Sequence, residues 1–288
     1  MFWQIIINGL ITGLLYSLLA IGFALVYNTT HIFHIAAASI YVFAGYMFWW
    51  LWASFKLPLI VAASLAILLT MGLSLLTEVA VYRRLRKRKA SLSVNLIASI
   101  GMMTVIVNLL AMFFGNEAKS LDTISESYQF GDVSITVAQS YQFIVAAVAI
   151  PVFLFLLEST RLGLKLRALS SDGTLFETLG YNKQRSYTFA FLTSGLFIGL
   201  ASCVMAYETD VEPYMGMTAL INAMVAMIIG GSGKFWTCVA GGLMLGLLQA
   251  LAVLVFDTGW QDAVTFVLLL FFLLFRPQGI AGYKQRAV

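Results

Sequence analysis

Nine stretches of this chain, near 3–27, 34–55, 58–81, 92–114, 139–157, 187–207, 217–230, 237–256 and 262–275, are almost free of charged side chains. A helix needs about 20 apolar residues to cross the hydrocarbon core of a bilayer, so each stretch is a candidate span. Composition points the same way: 61% of the 288 residues are hydrophobic and 10% charged, where soluble domains carry about a quarter charged. The expected fold is therefore an all-α polytopic membrane protein of about eight or nine transmembrane helices. Two runs are irregular. The stretch 217–230 is short for a crossing, and 34–55 follows the polar patch 28–31 so closely that the turn falls within the membrane. Either predicts a broken helix.

Orientation follows from the basic residues, because cytoplasmic loops carry the excess of Lys and Arg. With nine crossings, 15 of the 17 basic residues share one side. Arg83, Arg84, Arg86, Lys87, Arg88 and Lys89 make a basic loop at 83–89. Arg161, Lys165, Arg167, Lys183 and Arg185 lie in the connection 158–185, and Lys234, Arg276, Lys284 and Arg286 complete the set. Lys56 and Lys119 fall opposite, on an acidic face that includes Glu117, Asp122, Glu126 and Asp132 of the connection 115–138. The N-terminus is then outside and the C-terminus inside, and the expected organisation is a single transmembrane domain over 1–288.

The net charge of +4 does not indicate a nucleic-acid binder in so apolar a chain. Gly233-Lys234 fails the phosphate-loop pattern because Ile228 stands where a glycine is needed. ATP hydrolysis by this chain is therefore not expected. Cys203 and Cys238 lie in apolar runs without metal-ligand spacing and read as small core residues. The opening Met1-Phe2-Trp3-Gln4 lacks the basic start of a secretory signal, so the first run is expected to be a retained span. Asn28-Thr29-Thr30 matches a glycosylation sequon but falls on the cytoplasmic side of this topology. No Ser-His-Asp, paired-carboxylate or metal-ligand arrangement appears among the runs, so no catalytic residues, metal or cofactor are expected.

Small residues recur every four positions at Gly9, Gly13 and Ser17, at Gly195 and Gly199, and at Gly242 and Gly246, the spacing that lets helix backbones approach in lipid. The sequence around Gly13 aligns weakly with that around Gly195, in runs of opposite direction, which suggests an inverted repeat. In transporters such repeats enclose the substrate near interrupted helices. The interruptions here are 31–39 and Gly230-Gly231-Ser232-Gly233.

Ion-coupled transporters place charged side chains within the membrane. Glu78 is the best placed here, and its position one turn before the basic cluster predicts pairing with Arg83 or Arg84. His31 and His34 read as structural residues at a helix end. Asn8, Asn95, Asn108, Asn222 and Gln249 either glue helices or line a pore. Energy should then come from another subunit, with a self-sufficient secondary transporter or channel as the alternative. In the connection 158–185, Thr174-Leu175-Phe176-Glu177 matches a capping box and Gly180 supplies a left-handed stop. The expected product is a short helix presenting Leu175, Phe176 and Leu179, too short to stand alone in water and therefore in need of a partner.

Over nearly its whole length the chain resembles the permeases of branched-chain amino acid type ABC importers. The matching residues are Asn8-Gly9-Leu10 with Gly13, Tyr16 and Gly22; Ile100-Gly101; Arg161-Leu162-Gly163 through Arg167-Ala168 and Asp172; and Leu179-Gly180. Pro213-Tyr214-Met215-Gly216, Ile229 to Gly233, Gly241-Gly242 and Leu245-Gly246 come next in the family's order. The resemblance implies an importer subunit in a bacterial inner membrane, working with a second, identical or related permease, two ABC ATPase subunits and a periplasmic substrate-binding protein. It implies that Asp172, Thr174, Leu175, Phe176, Glu177, Leu179 and Gly180 form the coupling helix seated on the ATPase. It also places the translocation pathway at His34, Ala37, Ser39, Tyr41, Asn222, Gly230 and Gly231. The chain departs from the family there. His34 to Ser39 read His-Ile-Ala-Ala-Ala-Ser where the family usually has Asn-Phe-Ala-His-Gly-Glu, and Asn222 replaces a frequent Lys. The implied solute is small and polar or amphipathic, of the branched-chain amino acid class or an amide, urea or aromatic acid.

Overall fold

The structure is a computed structural model, and it describes residues 2–121, 127–130, 133–231, 233, 235–256, 258–276 and 278–280. All nine apolar runs are helical. They form α1 (Phe2–Thr30), α2 (Ala37–Ala53), α3 (Leu59–Lys87), α4 (Leu92–Phe114), α5 (Val137–Ser159), α8 (Lys183–Glu208), α9 (Met215–Gly230), α10 (Phe235–Val255) and α11 (Gln261–Phe275). Helices are the solution because lipid offers no partner to backbone N–H and C=O groups, which a helix satisfies within itself. Six of these are long and apolar enough to cross a membrane, while α2, α9 and α11 have 17, 16 and 15 residues. The run 262–275 that becomes α11 is as short as 217–230, so its length alone already falls below a full crossing.

Three connections carry more structure than their sequence suggests. The segment 83–89 is helical as far as Lys87 and turns at Arg88 and Lys89. Helix α3 passes through a π turn at Glu78–Tyr82 and continues as α-helix over Arg83–Lys87. Within 115–138, β1 (Ser127–Phe130) and β2 (Val133–Thr136) form an antiparallel hairpin pairing Ser127 with Thr136 and Phe130 with Val133. Gln4 extends this ladder, accepting from Ser134 N and donating to Ser134 O, each at 2.7 Å. The connection 158–185 contains α6 (Arg161–Ser171) and α7 (Gly173–Thr178). Between α5 and α6 the chain turns so tightly that a Cβ at Gly163 would overlap the Leu157 backbone, which explains a glycine at that position. Thr160 caps α6 by accepting from Gly163 N at 3.1 Å.

Two compact units divide the chain. Residues 25–122 and 155–220 form one, and 1–24, 123–154 and 221–288 the other. In the first, α2 packs against α3, α4 and α8, and its residues from Ala37 to Phe48 are mostly buried. Gly195 and Gly199 of α8 bring that helix against Met71, Ser74, Thr70 and Ile67 of α3. Ser74 Oγ donates across this contact to Phe191 O at 2.7 Å, and Ser202 Oγ to Tyr41 O at 2.6 Å. In the second unit, the stripe Gly9, Gly13 and Ser17 of α1 meets Gly242, Gly246 and Ala250 of α10. Ser17 Oγ donates to Gly13 O and to Val239 O of the facing helix. Without side chains at Gly13 and Gly246 the backbones touch, so even a methyl there would force the helices apart. The expectation that these residues mediate close approach holds for both stripes.

Asn28 is 3% exposed and helical. A glycan acceptor must be accessible, so the sequon is structural. Cys203 and Cys238 are buried, and neither forms a disulfide among the described residues.

Candidate functional site

The first interruption spans the six residues between α1 and α2. His31 turns the chain with a left-handed φ of 54° and donates its N–H to Tyr27 O at 2.8 Å. His34 is wholly buried. Its Nδ1 lies 2.8 Å from Tyr82 OH, which donates to Ser99 Oγ at 2.8 Å, and Ser99 Oγ in turn accepts from Ala36 N at 2.9 Å. The break in the helix ladder is thus held by side chains from α3 and α4. His34 Nε2 has no hydrogen-bond partner and packs among the rings of Tyr82 and Phe191. This is the structural role anticipated for His34. Tyr82 and Ser99 escape sequence reasoning, since nothing in their local sequence marks them as its partners.

Glu78 begins the π turn and is fully buried, but it pairs with Arg86 rather than with Arg83 or Arg84. Geometry explains the correction. Eight residues of regular α-helix would leave Arg86 roughly 80° out of line with Glu78, and a π turn absorbs about one residue, which brings it back to within roughly 20°. Glu78 Oε1 also accepts from Gln184 Nε2 of α8 at 2.7 Å, and the Arg86 guanidinium lies 4.5 Å from the Tyr187 ring centroid.

Of the pathway residues that the family resemblance indicated, His34, Ala37, Ser39 and Tyr41 fall in one unit and Asn222, Gly230 and Gly231 in the other. Ala37, Ser39 and Tyr41 are buried on α2, with Ser39 Oγ donating to Ala36 O at 2.8 Å. Their neighbours Ala38 and Val42 line an open cleft instead. Met103, Thr104, Val107 and Asn108 of α4 and the segment from Pro213 to Met217 complete this cleft, which holds about 120 Å³. Its walls are mostly apolar, with polar groups on Thr104, Asn108 and Tyr214. Asn108 Nδ2 donates to Thr104 O at 2.7 Å.

In the second unit Asn222 and Gln249, whose sequence context suits either glue or pore, lie together with Thr265. Gln249 Nε2 is 3.4 Å from Asn222 Oδ1 and 2.5 Å from Thr265 Oγ1, and Thr265 Oγ1 is 3.3 Å from Asn222 Oδ1. All three are buried, and Tyr16 also hydrogen-bonds Gln249. The arrangement ties α9, α10 and α11 with uncharged groups. The other polar residues divide differently: Asn8 accepts from Gln4 and Asn95 donates to Ser91 O within its own helix. The second interruption ends α9 at Gly230. Gly231 has φ 95° and its carbonyl accepts from Thr237 Oγ1 at 3.1 Å. Ser232 and Lys234 lie outside the described residues.

The short helix expected in 158–185 is present as α7, with two corrections. Its cap is Asp172 and not Thr174: Asp172 Oδ1 accepts from Thr174 N at 2.7 Å and Leu175 N at 3.0 Å. Glu177, freed from the expected box, pairs with Lys183 at 2.6 Å. A helix starting at Gly173 puts the aspartate, the stronger acceptor, at the capping position. Phe176 is 2% exposed and stacks on Tyr181 at 5.1 Å, so it belongs to the chain's own core, while Leu175 and Leu179 remain exposed. Gly180 stops the helix with φ 83°, as anticipated. Asp172→Ala is expected to lose about 0.5–2 kcal/mol of local stability and Thr174→Ala close to none. Amide exchange at Leu175 and Phe176 would measure it.

Apolar helices of membrane-crossing length, interrupted twice beside small uncharged polar clusters, define a multi-pass membrane protein of the permease kind. The family described as "Branched-chain amino acid transport system / permease component" matches residues 5–273, and the chain belongs to it. It is 28% identical over 300 residues to the high-affinity branched-chain amino acid transport system permease protein LivH of Escherichia coli, covering 99% of this chain and 96% of that one. BraD of Pseudomonas aeruginosa, described in the same terms, is 30% identical over 297 residues, covering 98% and 96%. A probable branched-chain amino acid transport permease protein LivH of Methanocaldococcus jannaschii is 24% identical over 295 residues, covering 97% and 92%. No solved structure matches. The chain is accordingly a transport subunit and not an enzyme.

Proposed function

We propose that this chain is the transmembrane permease subunit of a binding-protein-dependent ABC importer in a bacterial inner membrane. It would carry a small amphipathic solute of the branched-chain amino acid class. One observation carries the reading: Leu175 and Leu179 stand exposed on a capped helix between basic flanks, at the place where an energy source would dock. Two further points support it. Glu78, the only charged side chain buried among the described residues, holds Arg86 and Gln184 on its Oε1, so its charge is balanced by a cation of the chain itself. The relatives are named as permease proteins of a transport system, which suits a chain that works with separate ATPase, binding-protein and second permease subunits. The cleft beside Ala38 and Val42 and the cluster around Asn222 contain no charged side chain, in keeping with a solute whose side chain is uncharged.

Reconstitution into vesicles tests this. Uptake of a labelled branched-chain amino acid should require ATP, the ATPase subunits and the binding protein together, and uptake by the chain alone would favour a secondary transporter or channel. The topology has its own check. A cysteine replacing Ser127 should react with an impermeant thiol reagent from outside, and one replacing Ser171 only after permeabilisation, since both positions are exposed on segments assigned to opposite faces. Labelling of both from one side would overturn that orientation.

A further inference from the structure

The exposed face of α3 is divided along its length. Leu65, Leu68, Leu69, Leu76 and Val79 form an apolar stripe, between 39% and 61% exposed. One turn beyond, the end of the same helix carries Arg84 and Lys87, with Arg88 as its C-terminal cap, and these with Ala80, Val81 and Leu85 line a shallow cleft of about 400 Å³. Positions 84, 87 and 88 share one helical face. Arg86, between them, turns the other way to Glu78. Among the described residues no acidic group pairs with any of the three, whose heads are exposed. General attraction between a basic loop and an anionic bilayer accounts for a cationic helix end. It does not require three cations gathered round an apolar-floored cleft in continuity with a lipid-facing stripe.

We infer that this cleft binds one anionic phospholipid, with Arg84, Lys87 and Arg88 on the headgroup phosphate and Val81 and Leu85 under the glycerol. The acyl chains lie along the stripe from Val79 toward Leu65. Charge and polarity run in the same order on ligand and protein. A guanidinium pairs with two phosphate oxygens at once, so the two arginines fix the headgroup and Lys87 adds a point charge. Three unbalanced cations select a headgroup with net negative charge over a zwitterionic one. The inference needs only that α3 crosses the membrane, and is independent of the solute carried.

Native mass spectrometry of the full-length chain in detergent, titrated with phosphatidylglycerol or with phosphatidylcholine of the same acyl chains, tests it. The wild-type chain should retain one phosphatidylglycerol at least tenfold more tightly than phosphatidylcholine. Arg84→Gln/Lys87→Gln/Arg88→Gln should bind it about a hundredfold more weakly, and Arg84→Gln alone about fivefold. Arg83→Gln/Lys89→Gln, which removes two neighbouring charges outside the cleft, should change it little. Equal retention of the two lipids, an unaltered triple variant, or equal damage from the Arg83 and Lys89 pair would overturn the site. Displacement of the lipid by equimolar inorganic phosphate would also overturn it, since the acyl chains would then contribute nothing. The substituted side chains are exposed, so folding should survive, and an unshifted melting temperature in each variant confirms that the binding readout is local.

Discussion

Leu179→Asp is expected to reduce ATP-driven uptake to background in vesicles supplied with binding protein and ATPase subunits, while the chain inserts and expresses normally. Leu179 is 65% exposed at the end of α7, so most of it lies outside the chain's own packing. Seating it against a partner is worth roughly 1.5 to 3 kcal/mol, and forcing an unpaired carboxylate into the same contact costs several more. A subunit contact weakened that far dissociates at ordinary concentrations. Phe176→Ala supplies the contrast: the ring is buried under Tyr181, so that variant should lose roughly 3–5 kcal/mol of folding stability and fail to accumulate. Full uptake by Leu179→Asp would remove the coupling role from this helix, and a misfolded Leu179→Asp would show that its exposure here is not its state in the membrane.

The second large effect is expected at Arg86. Replacing it with Met leaves Glu78 buried, holding only the neutral Gln184 as a partner. Removing one member of a buried ion pair typically costs about 3–5 kcal/mol, because the remaining charge is uncompensated. Thermal unfolding in detergent should show a fall in the melting temperature for Arg86→Met. Most of that fall should be recovered in the double variant Arg86→Met/Glu78→Gln, where no charge is left to desolvate. If the single and double variants are equally unstable, packing of the Arg86 stem against Tyr187 is the main contribution and the charge pairing is secondary.

The partner of Glu78 and the cap of α7 show which information a linear chain carries. The spans were legible because a charge-free run of lipid-crossing length has few alternatives, and the Gly13 and Gly246 stripes because close approach needs small residues at fixed spacing. Capping was not settled locally. Asp172 and Thr174 are both competent caps, and the position of Gly173 within the helix decided between them. The hairpin at Ser127–Thr136 gave no clear alternation, and part of its hold comes from Gln4, 130 residues from Ser134 in the chain. The cluster of Asn222, Gln249 and Thr265 depends on the rotational phase of three helices. A threonine in an apolar run is ordinary until that phase is known. The contact of His34 with Tyr82 was hidden for the same reason, compounded by the π turn in which Tyr82 sits.

That turn acts as a phase shifter. Each residue of a helix rotates the remainder of the chain by about 100°, so the same residues wound as regular α-helix through Glu78–Tyr82 would swing the end of α3 by about that angle. Arg86 would point away from Glu78, and Arg84, Lys87 and Arg88 would leave the face they now share with Leu76 and Val79. A chain that wound regularly here would keep its hydropathy profile, its count of positive charges and its topology. It would nevertheless present a differently ordered surface to whatever meets the helix at the membrane boundary.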